Sequence, residues 1–440
     1  MDSTLHTRWV SSHQSRGEAA VERARLRDDA DFRRYWIARM ASLFGSLVTA
    51  VAMPVLVYRL SGSTTLTALT TTLEALPYLL FGLFSGAVGD RFDRKRVMVL
   101  ADLANVLVVG SVPVAWWLGG LTVPHVLVAG FAAQSLFTFF DGANFGALPV
   151  LVGRERVGEA NSAVWGAGGI LDLTVPAGVG LALAVVHPAD LLAIDALTFL
   201  VSGLVVRSIG RAMSVARERS ATAGSRTSVR ADISEGVRFL WRHHGVRSNS
   251  VIGALQSVAG AGFMALAVPW CDRVLRVGTS GWRFGLVFSA WGVGGILAAW
   301  LTPRLLRRFT AARLTLSWIP VSAAFGLLVA LSTAWPLAVL FMIGWGVAYQ
   351  LVIINSLNYR QQVTPEHLLS RVNTAGRMLS WGLGWTIGAL LAGALADHVG
   401  VRPAMLTVVG VGLAAAAYAW LSPLRRIALV DAAARAGTPA

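Results

Sequence analysis

Along this chain long apolar runs alternate with short polar breaks, and each run is about as long as a membrane crossing. An α-helix rises about 1.5 Å per residue, so crossing the hydrocarbon takes about 20 mostly apolar residues. Windows 41–58, 248–271, 284–303, 378–396 and 403–424 come to that length without a single charge. The run 314–359 is also uncharged but too long for one helix, and Ser332, Thr333 and Pro336 divide it. In the first half the runs each tolerate one acid: Glu74, Asp102, Asp141, Asp172 or Asp195. The pattern predicts an all-α membrane protein with twelve transmembrane helices, near 36–59, 64–88, 97–118, 124–147, 160–186, 190–207, 248–271, 283–303, 314–331, 336–358, 373–397 and 402–421.

The polar breaks group these spans. The longest lies between Arg207 and Arg247, and its middle, 217–228, has the Ser, Thr, Gly and Arg content of a flexible linker. Five segments follow: a tail over 1–34, a six-helix half over 35–209, a linker over 210–247, a second six-helix half over 248–422 and a tail over 423–440. The halves echo each other. Val152-Gly153-Arg154-Glu155, then Asn161, follows span 4; Val363-Thr364-Pro365-Glu366, then Asn373, follows span 10. Arg94, Lys95 and Arg96 after span 2 are answered by Arg307 and Arg308 after span 8. Duplicated halves in a membrane protein place a substrate site at their interface.

Composition removes the alternatives. Charged residues make up 14% of the chain and hydrophobic residues 55%, whereas an ordinary soluble domain is roughly 25% charged. So few charges cannot cover a globule, which excludes a soluble enzyme, and so much apolar content excludes disorder. The single cysteine, Cys271, excludes an intrachain disulfide framework and a Cys-rich metal site. His125, His187 and His398 have no ligand spacing, so no metal is expected. There is no P-loop, hence no ATP site, and no cofactor is expected.

The net charge of +15 suggests nucleic acid until its distribution is followed. With the N-terminus inside, thirty-three of the 38 basic residues fall on one side; Arg59, Arg273, Arg276, Arg283 and Arg402 fall outside. This asymmetry is the positive-inside pattern: both termini are expected in the cytoplasm, the partner is the lipid bilayer, and no nucleic acid is implied. The first 30 residues lack an apolar core, so no cleavable signal peptide is expected and span 1 serves for insertion.

The turn between spans 2 and 3 carries Gly86, Gly89, Asp90, Arg91, Asp93, Arg94, Lys95 and Arg96. Glycines there allow close helix approach, Asp90 can accept from free helix N–H groups, and arginines can fork onto carboxylates. The spacing resembles the loop 2–3 signature of the major facilitator superfamily, with Asp93 in place of the usual glycine. In that family the loop latches the halves in the outward-open state. The resemblance implies a latch of Gly86, Asp90, Arg91, Arg94, Asp102 and Asp141, with Asp90 facing the start of span 11 near Asn373 and Arg94 pairing with Asp141. Asp195, Phe199 and Ser202 in span 6, and Glu235, Gly236, Arg238 and Phe239 before span 7, are similar to the drug- and siderophore-exporter branch, including the enterobactin-exporter type. Two departures bear on proton coupling. Phe131 stands where many antiporters have a span 4 arginine, and Val175-Pro176 stands for the Gly-Pro of their span 5 motif.

A charged side chain at mid-membrane costs about 2.5–3.5 kcal/mol on insertion scales, so acids retained there face protein or a watery cavity. Glu74 in span 2 and Asp172 in span 5 fall near mid-depth and are the candidates for proton coupling. Asp102 and Asp141 fall nearer the inner ends of their spans. Gln134, Asn144, Gln256, Trp345, Tyr349 and Asn355 are the candidates for lining a substrate cavity. The expected function is proton-coupled export of small amphiphilic molecules by alternating access, from the cell (inner) membrane, with protons and a small-molecule substrate as partners. A siderophore or metabolite exporter is the alternative within transport, and a non-transporting receptor or scaffold is the alternative outside it.

Overall fold

Residues 26–214 and 229–428 are described by a computed structural model. The two tails beyond these bounds and the linker middle 217–228 lie outside the described residues. Within them, the regular structure is helical: α1 Ala30–Ser61, α2 Thr64–Arg91, α3 Arg94–Trp117, α4 Val123–Val152, α5 Val157–Ala182, α6 Pro188–Arg207, α7 Val229–Arg242, α8 His244–Arg273, α9 Trp282–Arg308, α10 Ala311–Leu331, α11 Trp335–Val363, α12 Glu366–Arg377, a π-helical stretch Met378–Gly384, α13 Trp385–Val399 and α14 Val401–Leu421. Eleven of these helices, counting α12 through α13 as one, are long and apolar enough to cross a membrane. The twelfth crossing is α2, whose 28 residues include Thr64, Thr65, Thr67, Thr70, Thr71 and Thr72, a run that lowers its hydropathy.

Short polar side chains set the helix starts. The Asp29 carboxylate accepts from the N–H groups of Asp31 and Phe32 at 3.0 and 3.2 Å, and Ser63, Asp93, Thr122 and Thr310 cap α2, α3, α4 and α10 in the same way. α1 stops at Gly62, where a φ of +63° suits glycine. The helices overrun the apolar windows on the side where α1 begins and α14 ends, here called the terminal face. α1 starts at Ala30, α9 runs to Arg308, α11 runs to Val363, and the eleventh crossing starts at Glu366. These extra turns are polar, and arginines such as Arg307 and Arg308 favour the negative end of the helix dipole.

Helix pairing repeats between the halves. In the first, α1 and α3 pack on α6, and α4 packs on both α2 and α3. In the second, α8 and α10 pack on α14, and α11 packs on both α9 and α10. The halves meet along α5 against α9 and along α2 against the π segment and α13.

On the face opposite the termini, the far face, the halves are sealed together. The Tyr58 hydroxyl donates to Asp272 (2.8 Å) and accepts from Arg273 (2.9 Å), and Arg273 also donates to the Gly62 carbonyl (2.9 Å). Thr65 donates to Asp397 and to the Gly393 carbonyl, and the Gly281 N–H donates to the Gly180 carbonyl at 2.6 Å. Residues Val51 to Tyr58 of α1 are buried on every side. α5 and α9 approach here without intervening side chains: a Cβ on Gly180 would fall 2.5 Å from Gly285 Cα.

Candidate functional site

The seal does not continue to the terminal face. Trp165, Asp172 and Val179 lie on one line of α5 at seven-residue spacing, two helical turns apart. Val179 is buried, Asp172 is exposed, and Trp165 is 76% exposed. Ala163, Ile170, Thr174 and Leu181 form the exposed stripe on the opposite side of the same helix, where lipid would lie. The facing helix does the same: Gly285 and Gly292 are buried against α5, whereas Ala299, one further step along, is exposed. A crevice between the halves thus opens toward the terminal face along this line of α5, and Asp172 stands where it closes.

Glu74 lies across the interface on α2, half-buried, with no hydrogen-bond or ion-pair partner among the described residues. One turn on, the Tyr78 hydroxyl donates to Asp141 Oδ2 at 3.3 Å. The same oxygen accepts from Arg377 of α12 at 3.1 Å, and the Arg377 guanidinium lies 5.6 Å over the Tyr78 ring. Glu74 and Tyr78 share a face by their four-residue spacing. A carboxyl, a phenol and a cross-half ion pair therefore follow one another from mid-depth toward the terminal face.

The loop 2–3 residues sit differently from the expectation. Asp141 takes its cation from Arg377 of the other half, while Arg94 donates to the carbonyls of Gly89 (3.2 Å) and Gly146 (2.9 Å). Gly89 is the glycine that close packing needs, since a Cβ there would meet Ala143 Cα at 3.1 Å; around Gly86 there is open space. Arg91 is exposed, and the Asp90 side chain lies outside the described residues. Asp102 belongs to a different environment, eight residues along α3 from Arg94 and so about 12 Å away by helical rise. It is 1% exposed, packed under Gly203 of α6, with one carboxyl oxygen lacking a partner. Asp195 is buried likewise and accepts from Thr49 (2.5 Å) and Thr198 (3.2 Å).

Of the proposed cavity-lining residues, Gln134 is half-buried on α4, and the Asn144 amide oxygen accepts from Tyr35 at 2.7 Å. The other four are buried inside the second half. Gln256 donates to the Tyr349 carbonyl (3.2 Å), and Asn355 donates to the Ala311 carbonyl (2.5 Å) and to Thr315 (2.7 Å). Trp345 packs edge-on to Phe263 and Trp291, and Tyr349 lies against Trp291 and over Gly260. Their polar and aromatic surfaces hold helices together in this state instead of lining the crevice. Tyr78 and Trp165 were not anticipated; the four-residue step from Glu74 was the available signal for Tyr78.

Breaking the Asp141–Arg377 pair tests what holds the terminal face. Arg377 is 45% exposed, so the pair is discounted for solvent and contributes about 1 kcal/mol or less. Because the pair is formed in the state that exposes Trp165, Arg377→Gln is expected to lower the maleimide reactivity of Trp165→Cys about two- to fivefold. Unchanged reactivity would remove the pair from the gate.

Helix pairings repeated between two halves, a sealed face and a crevice open toward the other face define a membrane carrier of the major facilitator type. Residues 22–440 match the family described as transmembrane secretion effector, and the chain belongs to that family of transporters. It is 29% identical over 377 residues to the multidrug efflux pump Tap of Mycolicibacterium fortuitum, covering 83% of this chain and 88% of that protein. It is 24% identical over 391 residues to macrolide efflux protein A of Streptococcus pyogenes, covering 84% and 90%. The fold is also that of the nucleoside transporter NupG, with a TM-score of 0.71 at 13% identity over 89% of this chain and 99% of that one.

Proposed function

We propose that this protein exports small amphiphilic, drug-like molecules by alternating access, with protons moving inward in exchange. The observation that carries the reading is Asp172, an exposed carboxyl at the closed end of a crevice between the halves. Such a group can meet a cationic amphiphile from the open side, and the relatives named for multidrug and macrolide efflux support drug-like cargo. Glu74 provides a second carboxyl, whose proton would change the cost of exposing it to the crevice. The latch of Asp141 and Arg377 would then hold one state. The basic asymmetry of the chain supports a crevice mouth on the cytoplasmic side of the cell membrane, with substrate entering from inside. Siderophore export is less well supported, because an anionic ligand would meet a carboxylate at this position.

Efflux from vesicles carrying an imposed pH gradient tests the proposal. Asp172→Asn is expected to lower gradient-driven transport of a cationic dye about tenfold, and of a neutral macrolide far less, since one charge contact at low dielectric is at stake. Equal losses for both would show that Asp172 does not read substrate charge. No flux of any amphiphile, with tight binding retained, would favour a receptor.

A further inference from the structure

A second cavity lies away from the crevice, at the terminal-face edge of the second half. α7 ends at Arg242, His243 caps α8, and after α14 the chain turns back at Ser422. Between this corner and the returning segment is a cavity of about 570 Å³, bordered by Arg242, His243, His244, Pro423, Arg426 and Ile427. No carboxylate is among its described lining residues.

The hydrogen-bonding capacity of this lining is one-sided. His243 Nδ1 accepts from the Val246 N–H at 3.2 Å, so a neutral ring carries its proton on Nε2 and is a donor there. His244 Nδ1 lies 3.3 Å from the Arg247 guanidinium, which can only donate, so the same holds for its Nε2. With Arg242 and Arg426, the side chains offer several donors and no carboxylate acceptor. That arrangement suits a ligand with several acceptor oxygens and negative charge.

The surroundings place the cavity at the bilayer edge. Val237 and Trp241, four residues apart on α7, are 37% and 48% exposed beside the buried Leu240. On the other side Trp420 is exposed, with Arg425 5.9 Å over its ring. Exposed tryptophans flanked by arginines are the pattern of a membrane–water interface.

We propose that this cavity binds the phosphodiester headgroup of an anionic phospholipid, with Pro423 and Ile427 beside its glycerol. Basic pockets at the edge of membrane helices are suited to such headgroups, each arginine adding to the attraction. The site is independent of the crevice and of the transport reading.

Native mass spectrometry of the full-length protein, delipidated in detergent and offered equal phosphatidylglycerol and phosphatidylcholine, tests the assignment. Phosphatidylglycerol adducts are expected to exceed phosphatidylcholine about tenfold, from two arginines near the phosphate. Arg242→Ala with Arg426→Ala should bring the two lipids level, Arg242→Lys with Arg426→Lys should retain the preference, and Arg304→Ala, on the same face at the end of α9, should leave it unchanged. The lysine pair shows whether loss in the alanine pair reflects charge or misfolding; loss in both would overturn the charge-reading site. Equal retention of both lipids by the unaltered protein, or full preference in the alanine pair, would also overturn it. A third arm offers inorganic phosphate: displacement of phosphatidylglycerol by phosphate at equal concentration would overturn the lipid as the occupant in favour of a soluble anion.

Discussion

Glu74→Gln is expected to abolish the dependence of efflux on a pH gradient while leaving downhill exchange of substrate intact. The amide has the shape of a protonated carboxyl and cannot release a proton. Glu74 is the place for this test because nothing described in the structure pairs with it, and an isolated charge at mid-membrane costs about 2.5–3.5 kcal/mol. A proton gained or lost there changes by that amount the cost of exposing the α2 surface, enough to bias two states by roughly 100-fold. Measured as initial efflux rate with and without a one-unit gradient, the ratio should fall from about tenfold to near unity. Tyr78→Phe should give an intermediate ratio, since it removes the hydroxyl between Glu74 and Asp141 without altering either carboxyl. If Glu74→Gln and Asp172→Asn both keep the gradient response of the parent protein, the coupling reading is wrong.

The crossings were legible because the bilayer imposes a length, and an apolar run of that length has few other uses. The helix ends were not. Arg371 looks like a loop residue, yet the eleventh crossing runs back past it to Glu366, beyond the predicted start at 373, because a charge such as that of Arg371 can reach water from a helix as readily as from a turn. α2 was found as an apolar run that tolerates one acid, Glu74, even though its threonines dilute its hydropathy. The repeated helix pairing of the halves was foreshadowed by the sequence repeat at Glu155 and Glu366.

Side-chain partners were harder to read. Asp141 was matched with Arg94 by family spacing, but its cation comes from Arg377, 236 residues away in sequence. No local pattern encodes that choice. Gln256 and Asn355 illustrate the opposite ambiguity. An uncharged polar residue in an apolar span looks the same whether it faces a cavity or bonds a neighbouring helix, and here both find neighbours. The carboxyl of Asp172 was easier, since it opposes a lipid-facing stripe of the same helix that can be traced in the sequence at Ala163, Ile170, Thr174 and Leu181.

The largest conformational effect is expected at Gly292. A Cβ there would fall 2.6 Å from the Asp172 carbonyl oxygen and 2.8 Å from its carbon, both backbone atoms that cannot rotate away. α5 and α9 can close on the far face only while this position lacks a side chain. Gly292→Leu must therefore separate the two helices, and overpacking of this kind costs about 1–3 kcal/mol. The cost falls on the far-face-sealed state alone, so the equilibrium should move about five- to 150-fold toward a state open on the far face. Two cysteine probes read the shift: Val179→Cys, buried in the seal, and Trp165→Cys, exposed in the crevice. With Gly292→Leu, Val179→Cys should become reactive to a membrane-impermeant maleimide from the far side, while Trp165→Cys becomes less reactive from the terminal side. Net transport should fall with the shift. General misfolding would expose both probes together, so the opposed response separates a change of state from a loss of structure. Gly86→Ala, a helix glycine with open space around it, should change neither probe. Were Val179→Cys to stay shielded and Trp165→Cys to stay reactive in Gly292→Leu, closure of the far face could not depend on the contact between α5 and α9.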